Sequence, residues 1–327
     1  MHHFKYNLQL FAEPNTNVTT ASGLSDEMKV YYSDYLIDNA IPKLVHDQFG
    51  QKHPIPKNGG KTIEFRKYSP LPKLTTPIQE GVTPNGQSLN MSTIEATVAQ
   101  YGGYIELSDL LMLTAIDNNL VQATKLLGAQ AGATLDTITR EVLNGGTNVI
   151  FSGGKSARTD LDESSVLTVD DIKKAVRLLK TQNAEQINGS WVGIIHPDVS
   201  YDLTNDPAWK DVKTYSDPSD IYEGEIGKLY GVRFVETTEA KIWAKAGASN
   251  RAVYSTLVLG DNAYGTTEIT GGGLEHIVKQ LGSAGTSDPL NQRATAGWKA
   301  TKVAERLVEN YMVRIESAST FNPEANN

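Results

Sequence analysis

The stretch of this sequence with the most suggestive chemistry is GGTNVIFSGGKS, residues 145–156, which ends in Gly-Gly-Lys-Ser as a phosphate-binding loop does. Such a loop needs a glycine five positions before its last one, but the residue five positions before Gly154 is Val149, whose branched side chain resists the required backbone. The motif also follows a buried strand and opens a helix, whereas a long helical pattern precedes it here. We interpret the stretch as a surface loop after a helix that ends at Gly145 and Gly146.

Acid–base catalysis would need a histidine or paired carboxylates, and these occur together shortly before residue 210. His196 ends the apolar run in IIHPD, and Asp198, Asp202 and Asp206 follow at intervals of four. Paired carboxylates do acid–base work when a pocket separates their pKa values. A solvated helix face explains the same spacing and is the interpretation we favour, with His196 as a packed residue at a strand end.

Metal and nucleotide sites have weaker candidates, which are two histidine pairs, an acidic pair and a glycine run: His2 and His3, His46 and His53, Glu223 and Glu225, and Gly271–Gly273. None of them has the spacing of a metal centre or of a dinucleotide-binding loop. The chain has no cysteine, which excludes disulfides, thiolate chemistry and Cys-based zinc sites. We therefore predict no catalytic, cofactor-binding or metal site, and no enzyme activity.

Composition limits the partners of this chain. It has 327 residues, of which 38 are acidic and 30 basic, with a net charge of −8 and no block of Lys or Arg in the sequence. Affinity for nucleic acid comes mainly from clustered basic residues, so tight DNA binding is not expected. No run of about eighteen apolar residues occurs, and no transmembrane helix is predicted.

The N-terminal part predicts an arm followed by a helical segment. Residues 1–24 are rich in Pro, Asn and Thr and lack apolar periodicity, which is typical of an extended arm. Residues 25–56 form the helical segment, in which Ser25 caps a helix, Pro42 interrupts it and Gly50 ends it.

Residues 57–106 predict a long two-stranded hairpin. KTIEFRKY and STIEATVAQYGGYIEL both alternate apolar and polar residues, and a proline-rich stretch with a PNG turn separates them. A change of phase in the second arm predicts a bulge or twist near Ser92. A lone two-stranded ribbon is marginal in water, so it needs a cover, and a neighbouring copy of the same protein would supply one.

The remainder of the chain mixes helices and strands. Apolar residues at steps of three or four predict a helix over residues 117–143, about 40 Å long at 1.5 Å per residue. Thr168 with Asp171 predicts a capping box for the next helix. Short strands with glycine-rich turns follow, and one long final strand is predicted across residues 307–315. Because no regular βαβ pattern occurs, the fold class is α+β.

The order of these parts resembles the tailed-phage major capsid proteins of the Hong Kong 97-type capsid fold. Stretches across nearly the whole chain carry the resemblance: KYNLQLFAE, KLVHDQFGQKHPIPKNGGKTIEFRKYSPLP, EGVTPNG, TAIDNNLVQATKLLGAQAG, TREVLNGGTNV, EGEIGKLYGVRFVETTEAK and GGGLEHIVKQLGSAGTSDPLNQRATAGWKATKVAERLVENYMVRIE.

The resemblance implies a division of the chain into the parts of that fold. They are an N-terminal arm at 1–24, a helical segment at 25–56, an extended hairpin loop across the adjacent subunit at 57–106, a peripheral domain with its spine helix at 107–159, an axial domain at 160–264, and return strands of the peripheral domain at 265–327.

The same resemblance implies a shell protein that self-assembles into an icosahedral phage capsid. Its partners would be copies of itself in pentamers and hexamers, a portal protein, and separate scaffolding or decoration proteins where the shell uses them. Packaged double-stranded DNA would lie nearby without being tightly bound, and no membrane or cofactor takes part. The protein would be assembled in the host cytoplasm and reside in the virion. The residues expected to contact neighbouring subunits are Phe65, Arg66, Tyr68, Glu80, Leu10 and Phe11.

Two alternatives stay open at this point. One is the shell of a cargo-enclosing nanocompartment of the same fold, which would hold an enzyme instead of a genome. The other is a hydrolase that uses His196 or the Asp198 and Asp202 face.

Overall fold

The structure, a computed structural model, describes residues 16–18, 45–81, 83, 85–114, 119–209, 227–270, 272–283, 288–324 and 326. Most of the predicted arm and the predicted helix up to residue 44 lie outside these ranges, as do Leu10 and Phe11.

The described strands are β1 Thr16–Val18, β2 Gln51–Lys52, β3 Thr62–Tyr68, β4 Met91–Thr97, β5 Ala99–Ser108, β6 Val149–Phe151, β7 Trp191–Ile195, β8 Lys228–Leu229, β9 Val232–Glu236, β10 Ile242–Trp243, β11 Val253–Leu259, β12 Tyr264–Thr267, β13 Glu275–Lys279, β14 Arg293–Arg306 and β15 Met312–Ser317. The helices are α1 Asp109–Thr114, α2 Asn119–Asn144, α3 Val169–Thr181 and α4 Pro197–Asn205. This mixture confirms the α+β class.

The chain divides into two compact units. The described residues of the first unit lie within 1–44, 100–135 and 272–301, and those of the second within 45–99, 136–271 and 302–327.

The first unit is a small sheet with part of helix α2. Strand β5 pairs in parallel with β1 and lies beside β14, which pairs antiparallel with β13. The backbones of β5 and β14 approach closely, because a Cβ on Gly297 would come within 2.8 Å of the Cβ of Tyr104. The indole of Trp298 donates a hydrogen bond of 3.0 Å to Gln130, which ties α2 to this sheet.

The second unit is built around a seven-stranded mixed sheet in the order β6-β15-β11-β7-β9-β8, with β10 beside β11. Every residue of β7, β11 and β15 is buried. These strands are covered on both faces, which explains the unbroken apolar run of β7, whereas β11 and β15 also bury polar side chains. The last residues of β14 pair with β12, which pairs in parallel with β2.

Helix α3 packs its apolar face on the sheet, and the predicted capping box begins it. The Thr168 side chain accepts a hydrogen bond from the Asp171 backbone N–H, and Asp171 accepts one from the Thr168 backbone in return. The apolar side chains of α3 that enter the core are Val169, Ile172, Ala175, Val176 and Leu179. Because two N–H groups at the helix start gain partners, the box fixes where α3 begins.

Helix α2 confirms the predicted long helix, but its buried face changes along its length. The buried apolar side chains of its first part are Ala123, Leu127, Ala131 and Leu135, as the spacing predicts. Further along, the buried side chains are mostly polar: Asp136, Thr139, Arg140 and Asn144. Ile138 and Val142, which the apolar pattern places inside, are only half-buried.

Three local predictions were wrong. The helix predicted to end at Gly50 does not reach it, since residues 46–50 form turns and bends. Of the bulge or twist predicted near Ser92, the bulge is absent, because the pairing runs unbroken from Thr62 opposite Thr97 to Tyr68 opposite Met91. The single final strand is two strands, β14 and β15, separated by a short 3₁₀ turn.

Candidate subunit-contact surface

The residues around His196 hold the fold together. The His196 side chain accepts a hydrogen bond of 3.2 Å from the backbone N–H of Asp198 and so caps helix α4. Its ring lies 5.2 Å from that of Tyr254, whose hydroxyl donates to Asp198 at 2.6 Å. Burial lowers the pKa of His196, and burial with the Asp198 contact raises the pKa of Tyr254. The neutral imidazole uses its acceptor nitrogen to cap helix α4, so the role of His196 in this structure is to stabilise the start of the helix.

The three aspartates that follow His196 also make structural contacts, so the predicted solvated face was wrong. Asp202 is buried and accepts hydrogen bonds from the backbone and hydroxyl of Thr320, at 3.0 and 2.7 Å. Asp206 accepts from the backbone of Val169 at 2.9 Å. Each aspartate therefore fastens helix α4 to a different segment.

The glycine-rich loop at 152–155 does not have the form of a phosphate site. Contrary to the sequence interpretation, a short strand precedes it, but the loop opens a 3₁₀ turn and no α-helix. The Lys155 ammonium lies 2.6 Å from the Asp162 carboxylate. That lysine, which would have to reach a phosphate, is held by an acid of its own loop.

The described histidines and acids form no cluster of three or more that could hold a metal ion. His46 is buried and bonds Asp136 at 2.6 Å, a contact within the second unit. A cavity of about 150 Å³ beside His53 is lined by Asp47 and Lys302, whose charges lie 2.7 Å apart and neutralise each other. His2, His3, Glu223, Glu225 and Gly271 lie outside the described residues. None of the described helices has the length and apolar character to cross a bilayer.

The hairpin of β3 and β4 has two faces that differ in burial. Ile63 and Phe65 lie opposite Ala96 and Ile94 and are buried or half-buried, because opposed residues of an antiparallel pair share a face. On the other face every residue from Thr62 to Tyr68 and from Met91 to Thr97 is exposed. The sequence alternation predicted two faces, with Ile63 and Phe65 on one and Glu64 and Arg66 on the other.

The inner face attaches the hairpin to the second unit. The Phe65 ring meets the His53 ring edge-on, with centroids 5.5 Å apart. The Phe65 ring also packs closely on Gly265, since a Cβ added to that glycine would lie 3.4 Å from the ring. The structure therefore places Phe65 at the root of the hairpin, in contact with its own chain.

The outer end of the hairpin exposes an apolar surface, which we call the apolar tip. Ser69 donates its backbone N–H to Asn90 at 2.9 Å, and the described residues between them have no regular secondary structure. The exposed fractions of its large apolar side chains are 61% for Tyr68, 52% for Leu71, 77% for Leu74, 73% for Ile78, 71% for Leu89 and 48% for Met91. So many large apolar groups on one short segment mark an interaction surface.

The polar residues predicted on the hairpin are exposed as well. Arg66 reaches Glu64 at 3.5 Å, and Glu80 lies within the tip. Between residues 57 and 97 there are five basic and three acidic side chains, in a chain whose net charge is −8. The hairpin is thus mildly positive, which favours contact with an acidic body.

Sequence reasoning identified Tyr68 but missed Leu71, Leu74, Ile78 and Leu89. Their signal was present, because large apolar residues recur there among four prolines, where no strand or helix could bury them. The prolines lack backbone N–H donors and stiffen the segment, so it does not form a strand or helix that could bury these side chains.

Comparison with known proteins places these features in context. A family described as phage capsid protein matches residues 5–268. The chain has no match among curated proteins. It is similar to the capsid of cyanophage Pam1, at 14% identity and a TM-score of 0.68, over 98% of this chain and 100% of that one. The capsid of Ralstonia phage GP4 is 14% identical with a TM-score of 0.65, over 84% and 88% of the two chains. The capsid of Helicobacter pylori bacteriophage KHP30 is 11% identical with a TM-score of 0.60, over 97% and 99%.

Proposed function

The chain belongs to the phage capsid protein family and is a shell protein of a bacteriophage capsid, and on this premise we propose how it builds the shell. Copies of the chain associate in pentamers and hexamers that close into an icosahedral head around double-stranded DNA. A heterologous contact that closes by rotation produces rings, and rings of two sizes produce a closed container. Assembly takes place in the host cytoplasm, with a portal protein and with scaffolding or decoration proteins where they are used.

The exposure of the apolar tip is the observation that carries this proposal. Full burial of a Leu or Ile side chain is worth about 1.5–3 kcal/mol, part of which offsets the cost of association. In the shell the tip lies on an adjacent copy, and Arg66, Tyr68 and Glu80 contact that copy beside it. Phe65 joins the contacting tip to the body of its own chain. Leu10 and Phe11 of the arm make a second contact with a neighbour.

The parts of the chain then have separate tasks. The arm at 1–24 and the predicted hairpin at 57–106 bind neighbours, although the second arm of the hairpin ends at Thr97 and β5 joins the sheet of the first unit. Residues 25–56 link the arm to the hairpin. The peripheral domain is proposed within residues 107–159 and 265–327 and the axial domain, at the fivefold and sixfold positions, within 160–264, but strand β15 belongs with β11 to the sheet of the second unit and so to the axial part. The hydrolase alternative gains no support, because His196, Asp198 and Asp202 are hydrogen-bonded within the fold.

The strand register allows a clean test of the tip. Since Ser69 and Asn90 are already paired across the hairpin, replacing residues 70–89 by Asn-Gly closes it with a tight two-residue turn. We expect the shortened protein to fold with an unchanged circular dichroism spectrum but to form no shells in negative-stain microscopy. The full-length variant L71Q/L74Q/I78Q/L89Q should fail in the same way, because it loses the apolar contact alone.

The matched control is T75A/T76A, which changes two exposed residues of the same tip without removing large apolar groups. It should assemble as the unmodified protein does. Normal heads from both the shortened and the glutamine variants would show that the tip is not a subunit contact.

A further inference from the structure

A second surface stands out because it is basic in an acidic protein. Lys173, Arg177 and Lys180 are exposed on one side of helix α3, at steps of four and three residues. With Thr181 and Tyr230 they line an open groove of about 490 Å³. The sequence shows no basic block, because the helix brings together residues that other side chains separate along the chain.

Among the described residues no carboxylate forms an ion pair with Lys173, Arg177 or Lys180, and only Asp170 acts on Lys173 from a longer distance. The adjacent Lys174 pairs with Asp170 at 2.9 Å and with Asp171 at 3.1 Å. Lys173 and Lys180 instead lie over aromatic rings, 4.9 Å from the Tyr230 centroid and 5.6 Å from that of Trp191. Such contacts position an ammonium group and leave its charge available to a further partner.

Tyr230 is an unexpected residue at its position. It and Gly231 have φ angles of +49° and +86° and join β8 to β9, whose residues Leu229 and Val232 are paired. A two-residue turn with both φ angles positive favours Asn-Gly, and a tyrosine there is strained. Residues held in unfavourable backbone conformations cluster at binding sites, where the side chain has a task that the turn does not require.

The dimensions of the groove fit a nucleic-acid backbone. Residues 173 to 180 span about 10 Å of helix axis. Over about 10 Å one strand of duplex DNA presents about three phosphates, one for each cation of the groove. The hydroxyl group of Tyr230 is a donor of the kind that binds phosphate oxygens beside Lys and Arg, whereas that of Thr181 already donates to the Arg177 carbonyl at 2.8 Å.

We propose that the groove formed by Lys173, Arg177, Lys180 and Tyr230 binds the phosphate backbone of duplex DNA, weakly and without sequence preference. The proposal rests on the proposed function, since it makes this groove the place where the shell wall touches its packaged genome. Three charge contacts give weak, reversible binding of DNA to the wall, and the overall charge of −8 opposes tight binding by the chain as a whole.

The test measures DNA affinity and its salt dependence on the full, unassembled chain. Fluorescence anisotropy of a short labelled duplex is recorded between about 50 and about 200 mM NaCl. Three phosphate contacts give a slope of about −2.7 in log affinity against log salt, a loss of about 40-fold over this range. In K173Q/R177Q/K180Q we expect at least about tenfold weaker binding at the lower salt and a nearly flat salt dependence.

Two further variants make the result specific. K52Q/K125Q/K279Q removes the same amount of charge from exposed lysines elsewhere and should bind DNA almost as the unmodified chain does. Tyr230→Asn should weaken DNA binding and at the same time raise the free energy of unfolding, because asparagine suits the turn. A side chain with only a structural role would not produce these opposite changes.

Equal DNA affinity in the groove variant and in the lysine control would overturn the proposal. A groove variant that binds DNA normally but forms no shells would also overturn the proposal. The groove would then be a contact between copies or a site for an acidic segment. Negative-stain microscopy of each protein separates this from the shell function. Shells formed by an unmodified protein without affinity for DNA would overturn the groove assignment alone.

Discussion

The hairpin of β3 and β4 and the sheet around β11 are both β-structure, but they differ in where their apolar side chains go. In the sheet, β7, β11 and β15 are buried at every residue. In the hairpin only one face is covered, and the tip beyond it exposes large apolar side chains. The sheet therefore supplies the stability of the single chain, whereas the hairpin exposes apolar surface that another molecule can bury.

Ion pairs show the same contrast and give the largest expected effect. Glu316 of β15 is fully buried and binds the Arg158 guanidinium through two contacts of 2.7 Å and Arg314 at 2.8 Å. Removing one partner of such a buried group costs about 3–5 kcal/mol, because it leaves guanidinium charge uncompensated. We expect Glu316→Gln to lower the free energy of unfolding by that amount, measured by denaturant titration of the unassembled chain.

The control for this prediction is the exposed pair of the hairpin. Arg66 and Glu64 are 62% and 40% exposed, and such pairs contribute about 0–1 kcal/mol. Glu64→Gln should thus leave the free energy of unfolding nearly unchanged. Equal effects of the two substitutions would contradict the division between a self-sufficient sheet and a hairpin completed by a neighbour.

The same substitution at two leucines sharpens the comparison. Leu179 of helix α3 is fully buried, whereas Leu74 of the apolar tip is 77% exposed. Leu179→Ala should cost about 2–5 kcal/mol of stability through the cavity it leaves. Leu74→Ala should change the free energy of unfolding by less than about 0.5 kcal/mol, because its side chain is exposed in the single chain. It should lower the yield of shells, because that side chain makes its apolar contact only in the assembled shell.

Thermal unfolding of the unassembled proteins and particle counts by microscopy check both leucine variants. The expected pattern is crossed, with one variant affecting stability and the other assembly. A Leu74→Ala protein that unfolds as easily as Leu179→Ala would mean that the tip packs on its own chain.

Sequence reasoning succeeded where apolar periodicity or a short local motif controls the structure. The capping box at Thr168, the two faces of the hairpin and most of helix α2 follow from the spacing of residues a few positions apart. The apolar tip was harder to predict, because an exposed apolar group looks the same in sequence as a buried one. Only the lack of a local partner distinguishes them.

Prediction from the sequence failed where a polar side chain is buried against a segment that is distant along the chain. Asp136 lies on the inner side of α2 because His46, ninety residues away, bonds its carboxylate through both backbone and ring. Asp202 is buried because Thr320 satisfies both of its oxygens. Polar periodicity alone predicts solvent for such residues, since their partners come together only in the folded chain.

The smallest expected effect is a pH dependence of stability that arises at the start of helix α4. Burial lowers the pKa of His196 below the value of about 6.5 that it has in the unfolded chain. The stabilising contribution of the neutral ring is complete above that pH and is lost as the pH falls toward the folded-state pKa, because a protonated Nδ1 cannot accept the Asp198 hydrogen bond. In His196→Asn the amide oxygen can cap helix α4 at every pH.

The difference in unfolding free energy between the unmodified chain and His196→Asn should therefore shrink or reverse as the pH is lowered from about 7 to about 5, by at most about 1.4 kcal/mol per pH unit. His276→Asn is the control, since its pKa is also lowered by burial but it belongs to the first unit, whereas helix α4 belongs to the second. The His276→Asn variant should keep the pH-dependent stabilisation that His196 provides. The double variant His196→Asn/His276→Asn should lose it to the same extent as His196→Asn alone. Parallel stability curves for the unmodified chain and His196→Asn would mean that the ring does not titrate on unfolding, and that the cap at the start of α4 depends on the shape of the side chain alone.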